Sequence, residues 1–265
     1  MKKPVAIAIV LLAVVSAVGI GLAHRGDDEG ARCGSGFVAS GAFCTVGDGC
    51  PSPLTRTKAG CDAPDEKVSI PGGTITLGPS DWEAEGRVVP RSIHTAPFRI
   101  DAFEVTRGAY AAALGDEKVT GELARAACNM TQNEAAAACR ARGGRLPTED
   151  EWVMAAVSAA NPPRRYPWGD TGAVCRRAAW GLLTGPCAQA ANGPDNVGAH
   201  TDGDSALGVH DLAGNVAEWV DGTASIAKGG SWATALAADL RIWARLPLPP
   251  GARDPRVGFR CVYAP

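Results

Sequence analysis

The sequence predicts an α+β domain with few helices, short strands and long loops. Three observations lead there. Thr131-Gln132-Asn133-Glu134 and Thr148-Glu149-Asp150-Glu151 each carry a complete helix-start signal. Short runs that alternate apolar and polar residues occur between residues 68 and 105. Finally, 33 glycines and 19 prolines in 265 residues interrupt every longer pattern, while Trp, Leu, Ile and Val keep recurring as they do in globular chains.

The N-terminus is an export address. Lys2 and Lys3 precede an apolar run from Val5 to Ala23 that ends in small residues. The run is also just long enough to span a bilayer. Residues 1–23 are therefore expected to be either a cleaved signal peptide or an uncleaved anchor with the lysines inside. Both place the remainder outside the cytoplasm, periplasmic or secreted, and touching a membrane only through this segment. Nine cysteines fit an oxidising compartment. There is no C-x-x-C, and the histidines at 24, 94, 200 and 210 are scattered, so zinc spacing is absent. An odd count leaves at least one thiol free or paired to another chain.

Residues 24–32 are polar and read as a flexible exit from this segment. Residues 24–66 as a whole read as a cysteine-rich linker. Cys33, Cys44, Cys50 and Cys61 lie among Gly, Ser and Pro with few large apolar residues, so the segment needs staples rather than a core of its own. Two local disulfides are expected, with three connectivities open. From Val68 the texture changes. Val68-Ser69-Ile70 and Thr74-Ile75-Thr76-Leu77 flank Gly72-Gly73, a pattern that predicts a strand or a hairpin. Ser92 to Val105 predicts one or two more strands.

Thr106 is placed to cap a helix over Arg107–Leu114 that stops at Gly115. The capping box at Thr131 opens a helix through the alanines to Gly143-Gly144. The box at Thr148 opens another, with acids where the helix dipole is positive. Trp152, Ala155 and Ala156 share a face of it, and Asn161-Pro162-Pro163 is its expected stop.

Net charge is −2, which offers no electrostatic footprint for nucleic acid. P-loop, dinucleotide and Ser-His-Asp signatures are missing. Between Asp211 and Glu218 lies Leu212-Ala213-Gly214-Asn215-Val216-Ala217, a turn with hard oxygen donors at both ends of the kind that suits calcium. Asp202-Gly203-Asp204 is no EF-hand, because the glycine and terminal glutamate of that loop are missing.

EVTRGAY (104–110), GGRLPTEDEW (143–152), YPWGD (166–170), GVHDLAGNVAEWV (208–220), KGGSW (228–232) and VGFRC (257–261) occur in this order. Together they resemble the formylglycine-generating enzyme, or sulfatase-modifying factor, family over residues 67–264. The resemblance implies a single α+β domain of low regular secondary structure related to the C-type-lectin-like architecture. It implies a structural calcium held by Asp211 and Glu218 side chains and by the Gly214 and Val216 carbonyls. A second calcium of the family is lost, because Ala178-Ala179-Trp180 offers no side-chain oxygen there. It also implies a Cys139–Cys261 bridge. Cys175 and Cys187 are expected to pair around the Trp180 loop, which leaves Cys128 as the odd thiol.

The family's chemistry needs two cysteines shortly after Gly-Gly-Ser, as thiolates for copper and for a mixed disulfide with the substrate. In this chain those positions are Thr234 and Asp239, and the family's asparagine before GFR is Arg256. Oxygen ligands neither hold Cu(I) nor exchange disulfides. Ser231 alone remains of that site, and copper is not expected. Three readings follow. The first is an exported binding or accessory domain without oxidase activity. Its surface, lined by Trp232, Trp243 and Arg241, would take an extended peptide or exported protein. The second is a divergent enzyme of the family that acts on protein cysteine or through Asp239, Arg241 and Arg256. The third is a calcium-dependent lectin-like binder.

Overall fold

The computed structural model describes residues 37–40, 43–46, 49–79, 84–115, 121–158 and 163–265. The apolar run, the polar exit and Cys33 lie outside the described residues.

The cysteine-rich segment forms two small hairpins, β1 (Phe37–Ser40) with β2 (Phe43–Val46), and β3 (Thr55–Thr57) with β4 (Gly60–Asp62). A Cys50–Cys61 disulfide staples it, and Cys44 is also disulfide-bonded. The segment is not a free linker. Cys44 and Leu54 are buried against Ala102, Phe103, Ala126 and Val197 of the main domain. The Cys44 amide donates to Asp195 Oδ1 at 2.8 Å, and Asn196 Nδ2 donates to the Cys44 carbonyl at 3.0 Å. Lacking a core of its own, the segment borrows its neighbour's.

Next come β5 (Lys67–Ile70), β6 (Gly73–Leu77), β7 (Arg91–Thr95) and β8 (Phe98–Asp101). Gly72-Gly73 does not close a hairpin between β5 and β6. It is a corner between two sheets: β5 pairs with β8, Val68 opposite Ile100, whereas β6 pairs with β7, Ile75 opposite Ile93. The corner needs glycine, because Gly72 has φ 71° and a Cβ there would lie 2.6 Å from the Thr95 carbonyl oxygen.

The three expected helices form: α1 (Arg107–Leu114), α2 (Gln132–Ala141) and α3 (Glu149–Val157). Thr106 caps α1 by accepting from the Ala109 amide, and Gly115 ends it in the left-handed region. Both capping boxes are complete, Thr131 with Glu134 and Thr148 with Glu151. Helix α3 stops earlier than its prolines imply, at Ser158 with φ 52°. It also has no solvent face beyond its first turn, since every residue from Trp152 to Val157 is buried. Its small alanines let neighbouring elements close in on all sides.

The chain then becomes mostly loop, with short strands β9 (Ala217–Trp219), β10 (Ile226–Lys228), β11 (Leu246–Pro247), β12 (Val257–Gly258) and β13 (Val262–Tyr263). Besides the two-stranded pairs, a four-stranded sheet has the order β11-β10-β9-β12 and a three-stranded sheet the order β13-β8-β5. The Cys139–Cys261 and Cys175–Cys187 disulfides are both present, and Cys128 is the free cysteine among the described residues. Also among the described residues, no helix is long and apolar enough to cross a membrane.

Candidate functional site

Strand β10 delivers Lys228 into Gly229-Gly230, and the glycines turn the chain into Ser231. Gly229 sits so close to the Leu212 carbonyl oxygen that a Cβ would lie 2.8 Å from it. Ser231 is 3% exposed. Its amide donates to Thr234 Oγ1 at 2.9 Å, its Oγ accepts from the Ala233 amide at 3.3 Å, and its carbonyl accepts from the Thr234 amide at 2.9 Å. The Thr234 hydroxyl thus closes the turn on itself. Asp239 lies exposed on a short 3-10 turn, Ala237–Leu240. Among the described residues Cys128 is the one free cysteine, so no pair of thiolates exists in them to hold a cuprous ion.

The expected acid–base trio is not assembled. Arg256 grips Asp254, two positions away, through Nε at 2.9 Å and Nη2 at 2.6 Å, rather than Asp239. Arg241 is buried with its guanidinium 5.9 Å from the Trp243 ring centroid. Nor do the two tryptophans line one groove. Trp232 is buried with Tyr166, Trp180 and Leu240 and donates its indole N–H to the Pro255 carbonyl at 3.3 Å. Trp243 packs on the other side, against the cluster built on α3, with Arg87 5.2 Å from its ring. Trp168 is half-buried, stacked on Tyr166 at 4.9 Å, with its N–H on the Thr171 carbonyl.

The two carboxylates expected to hold calcium have protein partners. Both Glu218 oxygens accept from Arg260, at 2.7 and 2.8 Å, and Oε2 also accepts from the Trp152 indole N–H at 2.8 Å. Asp211 Oδ2 accepts from the Gly198 amide at 2.6 Å. The Gly214 amide donates to the Gly229 carbonyl, and the Val216 amide to Glu104 Oε1 at 2.9 Å, bonds that orient the turn and leave the Gly214 and Val216 carbonyls out of these contacts. A divalent cation on Glu218 would compete with the fully buried Arg260 guanidinium for the same two oxygens. Cys44, Asp195 and His200 come within metal-ligand distance of one another. The disulfide at Cys44 removes the thiolate such a site would need.

What the sequence did not announce is the polar centre these contacts compose. Glu104, Asn215, Glu218 and Arg260 are all buried. Arg260 spends its remaining donors on the carbonyls of Asp101, Ala102 and His210. Glu104 accepts from the Asn215 side chain as well as from Val216. Burial pushes its carboxyl well up, and the charges of Asp211 and Glu218 add to the effect. The available signal was that each residue is an ionisable or amide group inside an otherwise apolar motif.

Lys228 is a second buried charge. Desolvation lowers its pKa to about 8, against the pull of Glu149 at 3.3 Å. The unfolded chain therefore binds more protons than the folded one between about pH 8 and 10.5, and this lysine's contribution to stability rises across that window. A Lys228→Met variant is expected to lose that rise, about 3 kcal/mol on this shift. Urea unfolding of both proteins at pH 8 and pH 10 checks it, and parallel pH profiles would contradict it.

The fold and the loop architecture define a C-type-lectin-like α+β scaffold with the formylglycine-generating-enzyme arrangement of elements. The chain belongs to the family with the sulfatase-modifying factor enzyme 1-like domain, whose model matches residues 54–265. It is 26% identical over 264 residues to the inactive C-alpha-formylglycine-generating enzyme 2 of Bos taurus, covering 73% of this chain and 86% of that one. It is 24% identical over 286 residues to the formylglycine-generating enzyme of Thermomonospora curvata, covering 75% and 93%. Treponema denticola variable protein 1 shares the fold, with a TM-score of 0.62 at 18% identity over 80% of this chain and 98% of that one. Active and inactive relatives are thus about equally similar, and the residues of the site have to decide between them.

Proposed function

We propose that this protein is an exported, non-oxidase binding or accessory domain on the formylglycine-generating-enzyme scaffold. The carrying observation is the Ser231 turn: Thr234 and Asp239 are the positions that the resemblance matches to the family's two cysteines, and the Thr234 hydroxyl is used in closing the turn. A relative whose name calls it inactive supports the reading. Export is supported by the Val5–Ala23 run and by disulfides at Cys50–Cys61, Cys139–Cys261 and Cys175–Cys187. The Arg256–Asp254 pair weighs against the divergent-enzyme reading and its acid–base trio, and the Arg260–Glu218 pair against the lectin reading, whose calcium would have to share Glu218.

The test has two arms. Cuprous ion is titrated into the reduced-buffer protein with a competing chelator. Separately, a cysteine-containing sulfatase peptide is incubated with protein, copper and oxygen and followed by mass spectrometry. No stoichiometric copper and an unchanged peptide are expected. Tight one-to-one copper, or conversion of the peptide cysteine to formylglycine, would overturn the proposal.

A further inference from the structure

A cleft of about 300 Å³ opens between the β6–β7 sheet and the segment around Trp243. Three guanidiniums line it, Arg87, Arg91 and Arg245, against one carboxylate, Glu149. Two of the three are fixed from behind. Glu149 accepts from Arg245 at 2.6 and 2.7 Å while also holding Lys228, and Asp150 holds Arg91 at 2.5 Å. Arg87 is different. It is exposed, lies over the Trp243 ring, and meets no carboxylate among the described residues. The lining therefore keeps an excess of positive charge in a chain whose net charge is negative. Guanidinium forks match the geometry of a carboxylate.

Beside these charges lies an apolar strip. Leu77 and Val88 form its floor, and Val89 is 81% exposed, more than any other large hydrophobic residue described. Cations beside exposed aliphatic surface select a ligand that carries both an anion and an alkyl group. An acidic peptide segment with a neighbouring aliphatic residue has both. A sulfated glycan has the anion and no alkyl side chain to place on Val89.

We propose that this cleft binds an acidic segment of another polypeptide, with a carboxylate on Arg87 and an adjoining aliphatic side chain on the Val88–Val89 strip. The proposal rests on the reading of the domain as a binding domain and gives that domain a partner chemistry.

The experiment is fluorescence anisotropy on the full chain. The probe is a labelled hexapeptide with two central glutamates flanked by leucines, and its glutamine counterpart is the control. Saturable binding of the glutamate peptide is expected, weakening as salt rises. Arg87→Ala should raise Kd about tenfold, as expected for losing a charge-assisted hydrogen bond. Val89→Ser should raise it severalfold. Both residues are exposed, and unchanged thermal melts would confirm that the variants fold.

The proposal is overturned by equal binding of the glutamine peptide, by no saturable binding, or by indifference to Arg87→Ala. A heparin-derived hexasaccharide that binds more tightly than the peptide, and loses that affinity in Arg87→Ala, would overturn the ligand class. Formylglycine production by the same preparation would sink the non-oxidase reading and leave the cleft result standing. Absence of peptide binding without formylglycine would sink the cleft alone.

Discussion

An Arg260→Met chain is expected to lose about 3–5 kcal/mol of unfolding free energy, a large part of what a domain possesses. Arg260 has no exposed surface and satisfies five acceptor contacts: both oxygens of Glu218 and the carbonyls of Asp101, Ala102 and His210. Methionine fills similar space, so the loss comes from charge and hydrogen bonding rather than from a cavity. It leaves Glu218 buried without its cation, close enough to Glu104 for each charge to disfavour the other. The diagnostic measurement is a double-mutant cycle in urea with Glu218→Gln. Glutamine still accepts from Trp152 and carries no charge, so Arg260→Met should cost far less in that background. Equal costs in both backgrounds would show that the ion pair is not what holds this centre together.

The second large effect concerns the bridge between α2 and the strand end before β13. Replacing Cys139 and Cys261 together with alanine is expected to cost about 5 kcal/mol. Removing Cys50 and Cys61 is expected to cost about 3 kcal/mol, by the chain-entropy relation. The first pair is separated by 122 positions and the second by 11, so the unfolded chain regains far more freedom in the first case. Thermal and urea unfolding of the two double variants under non-reducing conditions gives the ranking directly. A larger loss from the Cys50–Cys61 variant would reverse the argument and place the stabilisation in native contacts.

Much of the fold was legible because its signals are local. A capping box is written in four consecutive residues, and both boxes form. The Cys139–Cys261 disulfide was legible only through resemblance, whereas Cys175–Cys187 was suggested by the closeness of the two residues around the Trp180 loop. Strand pairing was not legible. Gly72-Gly73 has the sequence of a hairpin turn, yet the partner of β5 comes from β8 and not from the strand it precedes. The site misled in two ways. Residue type alone sends Glu104, Glu218 and Arg260 to the surface, and only the three-dimensional pairing explains their burial. Trp232 and Trp243 look like neighbours in sequence, yet the short 3-10 turn between them sends each into a different apolar cluster. Arg256 was the avoidable error, because its partner Asp254 is two residues away and was readable all along.

The order of strands in the three-stranded sheet also sets when this domain can fold. Its middle strand, β8, has one neighbour about thirty residues earlier in the chain and another, β13, at the far end of the domain. As the polypeptide emerges from a ribosome, the central strand waits for a flank that follows about 160 residues later, and the covalent clasp at Cys261 waits with it. Contact order of this kind delays closure of the sheet until β13 has been made. Until then the Val68–Ile100 pairing holds only one side of β8, and its other edge stays without the β13 strand.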